Sequence, residues 1–524
     1  MDSGENKLES TGEPAMQRAP MVPAESSRGS FGDCIALGLI TFAVVVLHMF
    51  TNGRFGFHRD ELQVVDDARH LAWGYVAMPP VTPFMARVCM ALFGSSLAGV
   101  RVFVVVAHGA VVLLTGLMAR ELGAGRLAQI VAALAAAIAP IDMFGAAVAQ
   151  YTSLDLLWWV LIAYLLIRLL KSEDARWWIG IGAVVGIGLL TKYTMAFYAA
   201  GILGGLLLTS ERRYLRSRWM WYGAALAILI FLPNLIWQIE HGFVSLHFLQ
   251  YIHKRDVGEG RADGFVLLQF LLNSNIMLAP LWIAGLWYYL ASDGGKRYRM
   301  IGWLYAILVV LFFAMKGRGY YTGGLYPMLF ASGCVLWDRW VRWMRPALSW
   351  VVGGATFAAI GLGGFGAARA LVPLGPISPD NYAMKMNGEF REEIGWKELV
   401  TEVARVRDSL TPAERVQMGI LAGNYGETGA IDLYGPRYDL PEAISGTNTA
   451  WYRGYGDPAP QTLIVVGLSR DDAEEMFQSC HLAGHNGNPY GIENEESRDH
   501  PDIFVCGAPK EPWPVFWKHF QRFG

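Results

Sequence analysis

The chain of 524 residues is 53% hydrophobic and only 17% charged, and it contains 19 tryptophans. Globular domains carry about 25% charged residues, so this composition excludes an ordinary soluble protein. The 43 basic and 45 acidic residues leave a net charge of −2, and we expect no nucleic-acid partner.

The first 32 residues are rich in Ser, Glu, Pro and Gly and lack apolar periodicity. We therefore expect a disordered tail in the cytoplasm. The charge balance changes near residue 375, because residues 375–524 hold 13 basic and 23 acidic groups, whereas residues 1–374 hold 30 and 22. This change predicts a membrane domain over 33–374 and a separate soluble domain over 375–524.

The membrane domain is predicted from its long apolar stretches. A helix needs about 20 mostly apolar residues to cross a hydrocarbon layer of ~30 Å. We place spans at 33–51, 98–119, 127–145, 152–169, 177–191, 195–209, 219–238, 266–290, 300–315, 321–337 and 348–370. The predicted fold class is a polytopic α-helical membrane protein with about 11 transmembrane helices.

The orientation follows from the basic residues, because cytoplasmic loops carry an excess of Lys and Arg. Alternate short loops are basic, with Arg120 and Arg126; Arg168, Lys171 and Arg176; Arg212, Arg213, Arg216 and Arg218; Lys296, Arg297 and Arg299; Arg339, Arg342 and Arg345. With an odd number of spans, this pattern predicts a multi-pass protein of the inner (cytoplasmic) membrane, with a cytoplasmic N-terminus. Residues 375–524 and the two long loops, 52–97 and 240–265, are then outside, where we expect any chemistry.

The soluble part alternates helical and β-type stretches. Helices are predicted at Trp396–Arg407 and Arg470–Ser479, and strands at Met418–Leu421, Leu463–Val466 and Ile503–Cys506, which indicates a small α/β domain. Its acidic surplus of ten (23 minus 13) disfavours binding a phosphorylated lipid. We expect this domain to be accessory rather than catalytic.

Two of the five cysteines are candidates for a disulfide. Cys480 and Cys506 are alone in the predicted outer domain, and an oxidising compartment would allow them to pair. Cys34, Cys89 and Cys334 lie in or beside apolar segments and are expected to be small buried hydrophobic residues. No Cys or His spacing typical of a structural zinc site occurs, so we name no metal ligand and no certain cofactor, and a divalent metal ion stays open.

The first outer loop carries a pair of carboxylates at the start of an amphipathic helix that we expect at the membrane surface, His58-Arg59-Asp60-Glu61. In one interpretation Asp60 is the N-cap and Glu61 a first-turn acid that interacts with the helix dipole. In the other, the carboxylate is a general base that removes the proton of a substrate hydroxyl.

Further polar residues fall at the same side of the membrane. Asp155 lies just inside the fourth span, where an ionisable group is costly and therefore a functional candidate, although it is also compatible with a capped helix start. The candidate substrate-binding residues are Arg59, Lys192, Tyr193, His241, Arg318, Tyr320 and Tyr321. Lys192 and Arg318 suit a phosphate clamp or, alternatively, interfacial cations that extend to the headgroups.

Several motifs together resemble bacterial glycosyltransferase family 39, relatives of the protein O-mannosyltransferases and the lipid A aminoarabinose transferases. They are Asp60-Glu61, Trp73-Gly74-Tyr75, Pro79-Pro80, Arg101, Asp155, Leu189 to Tyr193, Pro233-Asn234 before Trp237, Tyr320-Tyr321 and Tyr326-Pro327. The tail, with Ala422 to Glu427 and Gly491 to Glu495, looks like that of one bacterial branch. One departure is Met78, where aminoarabinose transferases have a Lys before the Pro-Pro pair.

The resemblance implies a GT-C fold and an enzyme that transfers a sugar from a polyprenyl-phosphate donor to a lipid, glycan or protein acceptor outside the cytoplasm. It implies catalytic roles for Asp60, Glu61 and Asp155, with membrane lipids as neighbours. A secondary transporter and a non-catalytic membrane scaffold are the alternatives. A transporter predicts paired interrupted helices in two related halves.

Overall fold

The computed structural model describes residues 31–524. The predicted tail at 1–32 lies outside the described residues, except for its last two positions. The helices up to residue 371 are α1 (Phe31–Thr51), α2 (Arg59–Arg69), α3 (Val81–Phe93), α4 (Leu97–Val100), α5 (Val102–Glu121), α6 (Arg126–Ala137), α7 (Pro140–Gly145), α8 (Tyr151–Ser172), α9 (Trp177–Leu189), α10 (Met195–Leu207), α11 (Arg218–Glu240), α12 (Val244–Gly258), α13 (Phe265–Leu271), α14 (Ala279–Leu290), α15 (Arg299–Ala314), α16 (Tyr326–Trp343) and α17 (Pro346–Leu371), with 3₁₀ turns at Ser210–Arg216, Ile276–Leu278, Asp293–Tyr298 and Gly319–Leu325.

A helix lies at each of the eleven predicted spans. In the described residues six helical segments are long and apolar enough to cross a membrane: Gly32–Thr51, Val102–Glu121, Tyr151–Ser172, Arg218–Glu240, Asp293–Ala314 and Pro346–Leu371. A seventh is added if Phe265–Leu271 and Ile276–Leu290, which are bent by 82°, form one broken span. The chain is thus a multi-pass membrane protein, and the count of eleven stays a prediction.

The membrane helices approach each other through small residues. A Cβ built on Gly182 of α9 would lie 2.6 Å from the Gly223 Cα of α11, and one on Gly285 of α14 would lie 2.8 Å from the Leu329 carbonyl carbon of α16. Small residues at such contacts let helix backbones pack closely, which replaces the hydrophobic driving force that lipid cannot supply.

The C-terminal part contains a five-stranded sheet of order β2-β1-β3-β5-β4. Strands β1, β2 and β3 are parallel, and β5 is antiparallel to both β3 and β4. The strands are β1 (Met418–Ala422), β2 (Ala443–Ile444), β3 (Thr462–Val466), β4 (His481–His485) and β5 (Asp502–Gly507). The helices are α18 (Tyr382–Met386), α19 (Trp396–Ser409), α20 (Pro412–Val416), α21 (Tyr425–Tyr434), α22 (Arg470–Met476), α23 (Glu495–Asp499) and α24 (Trp513–His519), with 3₁₀ turns at Gly388–Glu393, Gly435–Tyr438 and Asn448–Arg453.

The predicted secondary structure of this part is present at both helices and all three strands. The two strands that we did not predict, β2 and β4, are both edge strands; the first has two residues and the second is largely exposed. Neither therefore carries the apolar alternation by which half-buried strands are recognised. Cys480 and Cys506 form the predicted disulfide, with their Cα atoms 4.1 Å apart. The domain division at residue 375 stays a prediction.

The C-terminal part packs directly on the first outer loop. One hydrophobic cluster contains Leu62 of α2, Phe103 of α5 and Leu154 of α8 together with Trp396 of α19 and Ile420 of β1. Helix α2 is therefore enclosed between membrane helices and the C-terminal part. This burial differs from our expectation of an amphipathic helix lying at the membrane surface, because both sides of α2 pack against protein.

The polar side of α2 shows the reason for this difference. Asp66 and Asp67, on the polar side of this amphipathic helix, are 4% and 3% exposed. Arg453 donates to both carboxylate oxygens of Asp66, and it also lies 3.6 Å from Asp432. A partner from almost 400 residues further along the chain compensates the buried charge, and no local sequence pattern contains it.

Candidate active site

The first turn of α2 fixes the position of Asp60. His58 is the N-cap, because its Nδ1 accepts from the Asp60 backbone N–H at 3.1 Å and Glu61 Oε2 accepts from the His58 N–H at 2.8 Å. This is a capping box. The interpretation of Asp60 as the N-cap is therefore wrong, and Asp60 occupies the second helical position.

Glu61 is fully buried and has no free oxygen. Oε1 accepts from Arg101 Nε at 2.7 Å and from the Ala149 N–H at 2.6 Å, while Oε2 accepts from Arg101 Nη2 at 2.6 Å and from the His58 N–H. Four hydrogen bonds leave a carboxylate no lone pair directed at a ligand. These hydrogen bonds join the loop to α5 and to the start of α8, and the expected catalytic role of Glu61 stays a prediction.

Asp60 has the opposite environment. Its side chain is 40% exposed, and its Oδ1 accepts from the Tyr425 hydroxyl at 3.1 Å. Its Oδ2 lies 3.9 Å from His58 Nδ1, which is too long for a hydrogen bond. Of the two carboxylates in the pair, only Asp60 has an oxygen that is accessible and without a close partner in the described residues.

A second cluster surrounds Lys192. Its Nζ lies 3.8 Å from Asp155 Oδ2, which also accepts from Thr194 Oγ1 at 3.2 Å. The ammonium is 4.6 Å from the ring centroids of Tyr151 and Tyr321 and 5.3 Å from that of Tyr320. These distances are within the range of cation–π contacts, so the lysine is held by three rings and one carboxylate.

The charge state of Lys192 is sensitive to this environment. Burial lowers the pKa of the ammonium most, and Arg318 lowers it further, while the Asp155 carboxylate partly offsets both effects; the resulting pKa is about 8. Lys192 lies between α9 and α10, outside the membrane-spanning segments. Its charge is therefore present at neutral pH and is lost in a range where an ordinary lysine is still protonated.

Asp60 and the Lys192 cluster are neighbours. The Asp60 carboxylate interacts electrostatically with Tyr151 and Tyr320, two of the rings around Lys192. Burial, the adjacent Tyr151 and the charge of Asp60 together raise the pKa of Tyr320 well above its ordinary value. The structure thus brings Asp60, Asp155, Lys192, Tyr320 and Tyr321 into one region.

Two predicted cations are occupied by carboxylates of the chain itself. Arg59 binds Glu495 and lies 3.8 Å from Glu496. Arg318 donates from Nε and Nη2 to the two oxygens of Asp256, both at 2.6 Å. Both guanidinium groups are thus paired with carboxylates in this structure, which leaves Lys192 as the cation of the cluster. The expected substrate-binding roles of Arg59 and Arg318 stay predictions.

Tyr193 and His241 belong to an adjoining polar and aromatic network. The Tyr193 hydroxyl donates to Asn234 Oδ1 at 3.2 Å, and Asn234 Nδ2 donates to the Trp73 carbonyl at 2.8 Å. The His241 ring stacks on Trp237 at 4.0 Å. Beside this network lies a mostly apolar groove of about 470 Å³, lined by Trp73, Leu229, Leu232, Pro233, Ile236, Trp237 and Glu240.

Sequence reasoning missed several residues of the site. Tyr151 precedes Asp155 by four positions on one helix, and this spacing alone places the two on the same face. Asp256, in the predicted loop 240–265, is a carboxylate available to the basic segment around Arg318. Tyr425 lies in the tail segment Ala422 to Glu427 that the sequence singled out, but no spacing connected it with Asp60, which is 365 positions away.

No group of three or more His, Cys, Asp or Glu side chains that could hold a metal ion occurs in residues 31–524. The candidate site consists of the partly exposed Asp60 carboxylate, the Lys192 ammonium enclosed by three tyrosine rings and Asp155, and an apolar groove nearby.

The chain is similar to known proteins in one sequence segment and in its fold. Residues 77–237 match the family model described as dolichyl-phosphate-mannose-protein mannosyltransferase. ArnT from Cupriavidus metallidurans bound to undecaprenyl phosphate is 14% identical and superposes with a TM-score of 0.55 over 91% of this chain and 98% of that one. Its apo form gives 15% identity and a TM-score of 0.52 over 90% and 98% of the two chains.

A third solved structure is the oligosaccharyltransferase of Archaeoglobus fulgidus in complex with Zn and sulfate. It is 12% identical, with a TM-score of 0.52 over 83% of this chain and 68% of that one. Compared by sequence with curated proteins, the chain has no match. The family match and these superpositions confirm the predicted resemblance and the GT-C fold class.

Proposed function

We propose that this chain, a membrane glycosyltransferase, transfers a sugar from a polyprenyl-phosphate donor to an acceptor hydroxyl outside the cytoplasm, with Asp60 as the general base. The observation that carries the proposal is the environment of Asp60. Its neighbour Glu61 is buried and accepts four hydrogen bonds, whereas Asp60 is partly exposed and keeps one carboxylate oxygen without a close partner beside the Lys192 cluster. A general base must reach the proton that it removes.

The reaction needs little covalent participation by the protein. The acceptor oxygen attacks the anomeric carbon, the bond from that carbon to the phosphate oxygen breaks, and the electron pair leaves with the polyprenyl phosphate. The acceptor proton passes to Asp60. The protein has to orient the two substrates and stabilise the charge that grows on the departing phosphate.

Lys192 suits that second task. Its ammonium is oriented by three tyrosine rings and Asp155, and a cation fixed beforehand stabilises developing charge without rearranging during the reaction. The groove beside Trp73 and Trp237 is mostly apolar and could accept isoprenoid units of the donor next to Tyr193. ArnT, to which the chain is similar in fold, was solved with undecaprenyl phosphate bound, which supports a donor of this class.

We further propose that the site faces away from the cytoplasm in the inner membrane, with a lipid, glycan or protein as acceptor. The basic inner loops support this orientation. A reporter that is active only in the cytoplasm, fused after Gly524, should be silent, whereas a parallel fusion in the basic loop 210–217 should be active. The reverse pattern would contradict the orientation.

The transporter alternative has one feature in its favour, the broken pair α13 and α14. It predicted two interrupted helices in related halves, and the described residues contain one such pair. The side-chain amide nitrogen of buried Asn273, at this break, is bonded within the protein, since Nδ2 donates to Gln269 Oε1 at 3.0 Å and to the Gly319 carbonyl at 2.8 Å. This bonding gives the break a structural role.

The test of the proposed function is Asp60→Asn in purified protein supplied with polyprenyl-phosphate-linked radiolabelled sugar. Asparagine keeps an oxygen that can accept the Tyr425 hydrogen bond, and the cap on α2 is His58, so the fold and donor binding should persist. Turnover should fall by about 10²–10⁴-fold, the usual contribution of a general base.

The matched control is Asp263→Asn, an exposed acid of the second outer loop that should leave turnover unchanged. Near-normal turnover of Asp60→Asn at saturating donor and acceptor would refute the role of Asp60.

A further inference from the structure

The C-terminal part supplies side chains to the first turn of α2, where Asp60 lies. Tyr425 donates to Asp60 at 3.1 Å, Glu389 lies 3.2 Å from His58 Nε2, and Glu495 binds Arg59. Each of the first three positions of the capped helix start therefore has a partner from this part. An accessory domain with no role at the site would not need to approach it so closely.

The position of Tyr425 is fixed by the fold around it. Strand β1 ends at Ala422, and Asn424 caps the following helix α21 by accepting from the Gly426 and Glu427 N–H groups at 2.8 and 3.1 Å. Glu427 completes the capping box by accepting from the Asn424 N–H at 3.3 Å. Tyr425 is thus the first helical residue after a buried strand, which is a rigid attachment.

Close packing of two helices then brings Tyr425 to Asp60. A Cβ built on Gly429 of α21 would lie 2.6 Å from the Leu62 carbonyl carbon of α2, and one on Gly426 would lie 3.1 Å from Arg59 Cβ. Glycines at both positions let the two backbones approach, as they do where other helices pack closely. The spacing of α2 and α21 thereby sets the length of the hydrogen bond between Tyr425 and Asp60.

The phenol can act only as a donor in this place. Burial and the negative charge of Asp60 raise the pKa of Tyr425 well above its ordinary value, so the hydroxyl keeps its proton throughout the working range. The Arg59 guanidinium lies 5.9 Å from the ring centroid, close enough for a cation–π contact that restrains the ring. A fixed donor on Oδ1 orients the carboxylate and leaves Oδ2 as the oxygen that can receive a proton.

We infer that Tyr425 is a positioning residue, which directs Oδ2 of Asp60 toward the acceptor hydroxyl, so that the C-terminal part completes the active site. The inference rests on the proposed function, because it takes Asp60 as the base. It revises our expectation that residues 375–524 have only an accessory role.

The test is Tyr425→Phe, which removes the hydroxyl and keeps the ring under Arg59. The lost hydrogen bond held Oδ1 and thereby oriented the carboxylate, so the effect should appear in kcat and not in donor binding. At the optimum pH, kcat should fall by about 10-fold because the carboxylate is no longer oriented, while the KM for donor stays within twofold.

Two comparisons separate this role from a structural one. Tyr438→Phe removes the hydroxyl that pairs with Thr401 at 2.9 Å in the same part of the chain, and it should leave kcat unchanged. Replacing Tyr425 by 3-fluorotyrosine keeps the shape but makes the phenol a stronger hydrogen-bond donor, so kcat should change by a few-fold while the KM for donor stays within twofold. This second variant preserves the test even if Tyr425→Phe were poorly folded.

The outcomes distinguish the two proposals. If Asp60→Asn is active, the proposed function fails. If Asp60→Asn is inactive but Tyr425→Phe and the fluorotyrosine protein keep the wild-type kcat, the role of Tyr425 is overturned while Asp60 remains the base. If both are right, adding Tyr425→Phe to Asp60→Asn causes no further loss, since the two residues act through one carboxylate.

Discussion

Gly429→Ala perturbs the contact on which the position of Tyr425 depends. The new Cβ would lie 2.6 Å from the Leu62 carbonyl carbon and 2.9 Å from Leu62 Cβ, whereas carbon atoms in favourable contact are about 3.5–4.0 Å apart. Helices α2 and α21 must therefore separate by about 1 Å. The hydrogen bond between Tyr425 and Asp60, 3.1 Å long, would then exceed the distance at which it persists.

The magnitude of the effect differs between stability and activity. Overpacking of this kind costs about 1–3 kcal/mol, but alanine is favoured over glycine in a helix by about 1 kcal/mol. The net change in the free energy of unfolding is thus about 0–2 kcal/mol, or a few degrees in melting temperature. Activity should fall further, by about 10-fold in kcat, because the displacement acts directly on Asp60.

The assay compares kcat at saturating substrates with thermal unfolding in the same detergent. Gly429→Val should enlarge both effects. The control is Gly388→Ala, because a Cβ built at Gly388 meets nothing within 4 Å. If Gly429→Ala and Gly429→Val keep kcat within twofold of the wild type, the close approach of α2 and α21 does not govern the site, and the reasoning is wrong.

Two further predictions concern the charges of the site. Because the pKa of Lys192 is about 8, its ammonium is charged below pH 8 and neutral above it, so the KM for donor should rise as the pH passes through 8. Lys192→Arg should remove this rise. A KM that stays constant up to pH 9.5 in the wild type would count against Lys192 as the phosphate contact. Glu61→Gln removes the main partner of buried Arg101, and Glu393 remains 3.2 Å away. The free energy of unfolding should fall by about 3 kcal/mol, while kcat per folded molecule changes less than threefold. A large loss of kcat with an unchanged melting temperature would instead indicate a catalytic Glu61.

Much of the architecture was determined by local sequence. A helix lies at each span that the apolar stretches predicted. A segment that crosses the hydrocarbon layer must have a certain length and an apolar composition, and both can be recognised from that segment alone. The buried strands β1, β3 and β5 were predicted for a similar reason, since each is a short apolar run. Asp60, Asp155 and Lys192 became candidates because charged groups near the membrane are few and costly.

Only the tertiary structure decided which of these groups remain available for chemistry. Sequence treated Asp60 and Glu61 as a pair, yet Arg101 and Ala149 saturate Glu61 and leave Asp60 open. It treated Arg59 as a substrate-binding residue and Arg318 as part of a phosphate clamp, yet Glu495 and Asp256 bind these two guanidinium groups. The availability of a charged side chain depends on partners that are distant in the chain, and hydrogen bonds and Coulomb attraction between such partners leave no periodic signal in the sequence of either segment.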